Sequence, residues 1–169
     1  MKSKTVLFLD VDGVICTDRA YYASGQDKDK SILRTWDPVS INLVSRLCQD
    51  FDLEVVVSST WRQRYDVPLI LLTHGFRGNF HKDDKTPLVA RFSGPSRGEE
   101  IASWLEDHPE VKNFIILDDE YIGQKELQPY HVQTDSNDGI LTKHYDQAVY
   151  ILKRFNFDVN AALLHNAED

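Results

Sequence analysis

Thr5-Val6-Leu7-Phe8-Leu9-Asp10-Val11-Asp12-Gly13-Val14 is the stretch from which the fold is read. Val6 to Leu9 are apolar without alternation and run straight into a carboxylate. A run too short for a helix and apolar on both faces marks a strand covered on two sides, as in a parallel sheet. Leu53-Glu54-Val55-Val56-Val57-Ser58 and Phe114-Ile115-Ile116-Leu117-Asp118 repeat the pattern, and His131-Val132-Gln133-Thr134 is a weaker fourth. Helical patterns lie between them. Asp37-Pro38 reads as an N-cap with proline at the first helical position, followed by Ile41, Val44, Leu47, Cys48 and Phe51 at helical spacing. Ser96-Arg97-Gly98-Glu99 matches a capping box, with Ile101, Trp104 and Leu105 as the stripe behind it. Tyr145, Val149, Leu152 and Phe155 mark a last amphipathic helix. Strands alternating with helices predict an α/β, doubly wound, mostly parallel sheet with helices on both faces.

In such sheets ligands bind beyond the carboxyl ends of the strands. The first strand ends in Asp10-Val11-Asp12-Gly13, the second in Ser58-Ser59-Thr60-Trp61-Arg62, and the third in Asp118-Asp119-Glu120. At least four carboxylates then crowd one rim, and their repulsion would keep some protonated unless a cation joins them. A hard divalent ion with oxygen ligands resolves this, and Mg2+, held by a few carboxylates plus substrate phosphate, suits it best.

With these residues in place the chain resembles the haloacid dehalogenase (HAD) superfamily of phosphohydrolases. Phe8-Leu9-Asp10-Val11-Asp12-Gly13-Val14 is similar to its first motif and Val57-Ser58-Ser59 to its second. Arg97 stands where the family places a Lys or Arg, and Leu117-Asp118-Asp119 resembles the acidic fourth motif. The match spans residues 5–135 in family order. Trp36-Asp37-Pro38, Ser58-Ser59-Thr60-Trp61-Arg62 and Arg97-Gly98-Glu99-Glu100-Ile101 further resemble the small HAD domains of bacterial and phage RNA-repair proteins.

The resemblance implies a Rossmann-like fold with a small or absent cap and a phosphatase reaction through an aspartyl phosphate. Asp10 is then the nucleophile and Asp12 the acid and base. Ser58 holds a phosphoryl oxygen, and Arg97 neutralises charge on the others. Ser59, Arg62 and Lys85 are further candidates for binding substrate, and Lys85 is the rival of Arg97 for the cation role. Asp10, the Asp12 carbonyl and Asp119 are expected to hold Mg2+, with Asp118 in support. The order of Asp118 and Asp119 stays open. An open site favours large substrates such as nucleic-acid 3′-phosphate ends, whereas the net charge of −8 favours a nucleotide or another small phosphomonoester. A HAD-fold protein that binds phosphorylated ligands without turnover, and a phosphotransferase, are the alternative functions. No P-loop is present, which argues against nucleotide-driven kinase chemistry.

The remaining residues set bounds. At 169 residues, 41% hydrophobic and 27% charged, the chain fits one globular domain. Residues 15–36 and 77–96 are longer than ordinary connections and are expected to be lid or flap insertions. No apolar run approaches the roughly 20 residues that cross a bilayer, and the short stretch after Met1 lacks the signs of a signal peptide. Cys16 and Cys48, far apart and outside any CxxC, are expected to be reduced thiols of a cytoplasmic protein rather than zinc ligands. The six histidines show no HxH or HExxH spacing and read as surface or core residues. Trp36, Trp61 and Trp104 read as packing residues. Oligomeric state is not legible.

Overall fold

The computed structural model describes residues 5–25, 36–89 and 96–165, and of 156–165 the backbone alone. Five parallel strands lie in the order β3-β2-β1-β4-β5: β1 (Thr5–Leu9), β2 (Leu53–Val57), β3 (Asn79–Lys85), β4 (Asn113–Asp118) and β5 (His131–Gln133). The helices are α1 (Asp18–Ala23), α2 (Pro38–Phe51), α3 (Val67–Thr73), α4 (Arg97–Asp107) and α5 (Thr142–His165). The unbroken apolar runs have their reason in the two cores. Leu7, Leu9, Val55, Val57, Ile115 and Leu117 face one core with residues of α2, α3 and α5. Val6, Phe8, Val56 and Ile116 face the other, under Ile101 and Trp104 of α4. Side chains alternate across a strand, so a strand covered on both faces is apolar through its buried stretch, and Glu54, near the start of β2, is only half-buried.

The expected caps form where they were placed. Asp37 accepts from the backbone N–H of Val39 at 2.9 Å and of Ser40 at 3.4 Å, with Pro38 opening α2. Ser96 accepts from the Glu99 N–H at 3.3 Å and opens α4. No helix among the described residues is long and apolar enough to cross a membrane. Cys16 and Cys48 are both buried, and neither is in a disulfide.

The second of the two long segments needs correction. Residues 79–85 are no flap: they form β3, the edge of the sheet, paired with β2 and interrupted by an irregularity between Val55 and Val57. The sequence Asn79-Phe80-His81-Lys82-Asp83-Asp84-Lys85 hides the strand because its polar residues sit on an edge, where charge discourages pairing with another chain. Within 15–36, Thr17 caps α1, accepting from the Ala20 N–H at 3.0 Å, and Arg19 is tied to Asp37 at 2.5 Å. The rest of the expected lids, 26–35 and 90–95, lies outside the described residues.

Candidate active site

Strand register builds the site. Leu9 of β1 is in line with Val57 of β2 and Leu117 of β4, so the next residues, Asp10, Ser58 and Asp118, form a row. The Asp10 N–H donates to Leu117 O and the Ser58 N–H to Leu9 O, each at 3.0 Å, which continues the ladder through the row. Beside β1 the chain order reverses, with β2 and β3 on one side and β4 and β5 on the other. The crevice between β1 and β4 is therefore the switch point at which such sheets bind ligands. Arg97 enters from the first turn of α4. Gly98 permits that approach: a Cβ there would lie 2.6 Å from Gln124 Cγ and closer still to Ile122 O, which its own N–H bonds at 2.9 Å.

Arg97 spans the row. Its Nη2 lies 3.3 Å from Asp10 Oδ1 and its Nε 2.9 Å from Asp118 Oδ2, a charge contact in which the N–H is not aligned for a hydrogen bond. Its Nη1 donates to Ser58 O. Asp10, Asp118 and Asp119 each bring an oxygen within 4.8 Å of the other two. Burial raises the Asp10 pKa, against the opposing pull of Arg97. Burial and then the Asp10 charge push Asp118 to about 7, and the same two causes push Asp119 to about 6. One guanidinium thus leaves the three carboxyls short of positive charge, and an all-oxygen set of this kind fits a hard cation such as Mg2+. Asp118 is already engaged by Arg97 and accepts the Glu120 N–H at 3.0 Å, whereas Asp119 is the more exposed of the two.

Gly13 brings Asp119 against the first loop. It has φ +66°, and a Cβ there would stand 2.6 Å from Asp119 Cβ and closer still to its carboxyl group. Thr134 Oγ1 donates to Gly13 O at 2.6 Å and fixes the turn from the β5 side. Asp12 is exposed at the mouth, and its Oδ2 accepts the indole N–H of Trp61 at 2.8 Å. Ser59 hydrogen-bonds Asp10 and accepts the Trp61 amide at 3.3 Å. Ser58 Oγ is buried and has no hydrogen-bond partner among the described residues. A cavity of about 250 Å³ opens beside these groups, lined among others by Asp12, Gly13, Asp119, Thr17, Asp18 and Tyr21.

Arg62 is placed otherwise than expected for a substrate ligand. Nε donates to Thr86 O (2.9 Å) and Nη1 to Ser58 O and Ser59 O (2.7 Å each). Nη2 meets Pro87 O (3.2 Å) and Glu100 Oε2 (2.7 Å). A guanidinium has five N–H groups, and these five partners use them all. Arg62 is a buried bracket joining the Ser58-Ser59 corner, the end of β3 and α4. Lys85 is exposed at the carboxyl end of β3, in register with Val57, and takes no part in the ion pairs of Asp10 and Asp118. Trp61 is buried as a packing residue should be, against Trp36 at 5.4 Å, but its N–H also orients Asp12. Sequence gave no sign of that second role. Glu100, the Arg62 partner, was likewise hidden inside an amphipathic pattern.

An Asp-x-Asp-Gly at the end of the central strand, a strand-end serine, a helix-borne arginine and an acidic pair are the features of the HAD class of hydrolase-type α/β domains. The family of HAD domains in Swiss Army Knife RNA repair proteins matches residues 6–145, and the chain belongs to it. Comparison with curated proteins and with solved structures gave no match.

Proposed function

We propose that the protein is a Mg2+-dependent phosphomonoesterase that removes terminal phosphates from RNA ends through an aspartyl phosphate on Asp10. The observation that carries this reading is the meeting of Asp10, Asp118 and Asp119 within 4.8 Å at the switch point, with Arg97 against two of them. Family membership among RNA-repair domains supports the substrate class. The cavity beside Asp12 adds to it. At about 250 Å³ it is smaller than the usual 300–1,000 Å³ of ligand pockets and suits one terminal residue of a chain.

Asp10, whose carboxylate form Arg97 favours against the effect of burial, attacks phosphorus, and the bond to the leaving oxygen breaks as Asp12 gives that oxygen a proton. Asp12 then takes a proton from the water that attacks the aspartyl phosphate, which releases inorganic phosphate and restores both carboxyls. The Trp61 N–H holds Asp12 in place for both halves. Arg97 and the Ser58 hydroxyl bind the phosphoryl oxygens, a use that accounts for a buried hydroxyl with no other partner. Asp10, Asp119 and the Asp12 carbonyl would hold Mg2+, with Asp118 anchoring the set. When bound, the ion supplies charge neutralisation between the nucleophile and the phosphate.

The test is turnover of 3′- and 5′-phosphorylated oligoribonucleotides, mononucleotides and an aryl phosphate, with Mg2+ and with EDTA. Oligoribonucleotide ends are expected to be the best substrates, and Asp10→Asn is expected to be inactive. Full activity in EDTA or in Asp10→Asn refutes the mechanism. Ligand binding without turnover favours a phospho-ligand receptor, and a preference for mononucleotides refutes the RNA assignment.

A further inference from the structure

At the far end of α4, about 16 Å of helix from Arg97, a second group of metal-ligating side chains meets. His81 and Asp83 stand two residues apart on β3, and His108 follows the last turn of α4. Trp104 arranges them. Its ring stacks on His108 at 3.7 Å and 12°, meets the edge of His81 at 4.9 Å, and donates its indole N–H to Asp83 O at 3.1 Å. His108 Nδ1 lies 2.7 Å from Trp104 O, a carbonyl that can only accept, so this nitrogen carries the proton. In the neutral ring the lone pair is then on Nε2, which lies 3.0 Å from Asp83 Oδ2. Two acceptors so close need a proton or a cation between them. Each of the three residues, His81 included, offers a ligand atom within 4.8 Å of the other two.

We infer that His81, Asp83 and His108 form a divalent transition-metal site of the zinc class, separate from the carboxylate cluster. In a tetrahedral site with bonds of 2.0–2.2 Å, ligand atoms stand about 3.3–3.5 Å apart. The His108–Asp83 pair is near that spacing already, and His81, whose Nδ1 accepts the Asp83 N–H at 3.1 Å and whose Nε2 lies 4.0 Å from Glu54 Oε2, brings a ring nitrogen within 4.8 Å of both. Two imidazoles with one carboxylate select zinc, cobalt, nickel or copper over Mg2+ and Ca2+, which take oxygen. The Nδ1–H bond from His108 to the Trp104 carbonyl is the outer bond that fixes tautomer and ring orientation in such sites. Asp83 is exposed, so the fourth position opens to water. The ion would tie the edge strand to α4, and β3 runs on into Thr86 and Pro87, whose carbonyls hold Arg62. The absence of a histidine motif in the sequence does not bear on this site, because His108 joins it through the fold.

The experiment titrates Zn2+ and Co2+ into the metal-stripped full-length chain carrying Asp119→Asn, which weakens the carboxylate site. Zn2+ is read by competition with a chromophoric chelator, and Co2+ by its visible absorption. One equivalent of Zn2+ is expected, with a Co2+ spectrum of a four-coordinate nitrogen and oxygen site, both insensitive to excess Mg2+. Added His108→Gln or Asp83→Asn should each weaken Zn2+ by more than about tenfold with the circular dichroism unchanged. Asp83 is a surface side chain, so that variant folds even if a change at His108 disturbs the Trp104 stack. Absence of Zn2+ binding in the Asp119→Asn chain, or binding that survives both added substitutions, overturns the proposal.

Discussion

Gly13→Ala separates the strain of the first loop from the proposed metal role of Asp119. The residue sits at φ +66°, where an L side chain costs about 1–2 kcal/mol. At this chain length each kcal/mol lowers Tm by about 2–4 °C, so strain alone predicts a loss of about 2–8 °C. The added methyl also lands 2.6 Å from Asp119 Cβ and closer to the carboxyl group, so Asp119 must move. Loss of that carboxylate should weaken Mg2+ at least about tenfold, which removes about 1.4 kcal/mol of the stabilisation that saturating Mg2+ confers. The assay is thermal unfolding over a Mg2+ titration, with aryl phosphate turnover in parallel. Asp119→Asn should reproduce the Mg2+ effect without the strain. Gly13→Ala combined with Asp119→Gly should retain the strain but lose the clash, so the two changes are non-additive. A Gly13→Ala protein with lower Tm but an unchanged Mg2+ midpoint would refute Asp119 as a ligand, and unchanged Tm would refute the loop geometry.

Arg97→Ala is expected to lower kcat/KM by about a hundredfold or more, near the cost of one preorganised donor, while Lys85→Ala changes it only a few-fold. The reverse ranking in steady-state kinetics would reassign the cation. Trp61→Phe keeps an aromatic ring but removes the N–H on Asp12; it should lower kcat and shift the pH profile of turnover with KM little affected, while the lost ring volume at this buried position lowers Tm by a few degrees. Metal binding should also be pH-linked. Asp118 and Asp119 are raised from 3.8 to about 7 and about 6, so the metal-free fold holds protons that the unfolded chain releases. Their contribution to stability therefore falls as pH rises above 3.8 and levels off once both folded values are passed. Mg2+ displaces the same protons, so the Tm difference between Mg2+ and EDTA should grow with pH through this window and then plateau. A difference that is flat from pH 5 to pH 8 would contradict the raised values.

How much of this was legible follows from what each signal depends on. Asp10, Ser58 and Asp118 could be placed from sequence because each ends an apolar run, and the fully covered stretch of a strand buried on both faces excludes polar residues until its end. Parallel pairing then brings those ends to one rim, so local pattern alone located the row. Arg97 was legible through the cap at Ser96, which fixes where α4 begins. The edge strand β3 was not, since a strand with one open edge is free to carry charge and loses the apolar signature. Arg62 shows the opposite failure. Its neighbours in sequence point to the site, but the carbonyls of Thr86 and Pro87 and the carboxylate of Glu100 reach it only after β3 and α4 have packed, and together with the carbonyls of Ser58 and Ser59 they consume every donor. The indole bond from Trp61 to Asp12 spans 49 residues, and His108 meets Asp83 across 25. Sequence determined which residues lie at strand and helix ends, because backbone geometry and burial act locally. Only the tertiary structure decided which polar groups are already satisfied and which remain for substrate or metal, because hydrogen bonds between distant segments leave no periodicity along the chain.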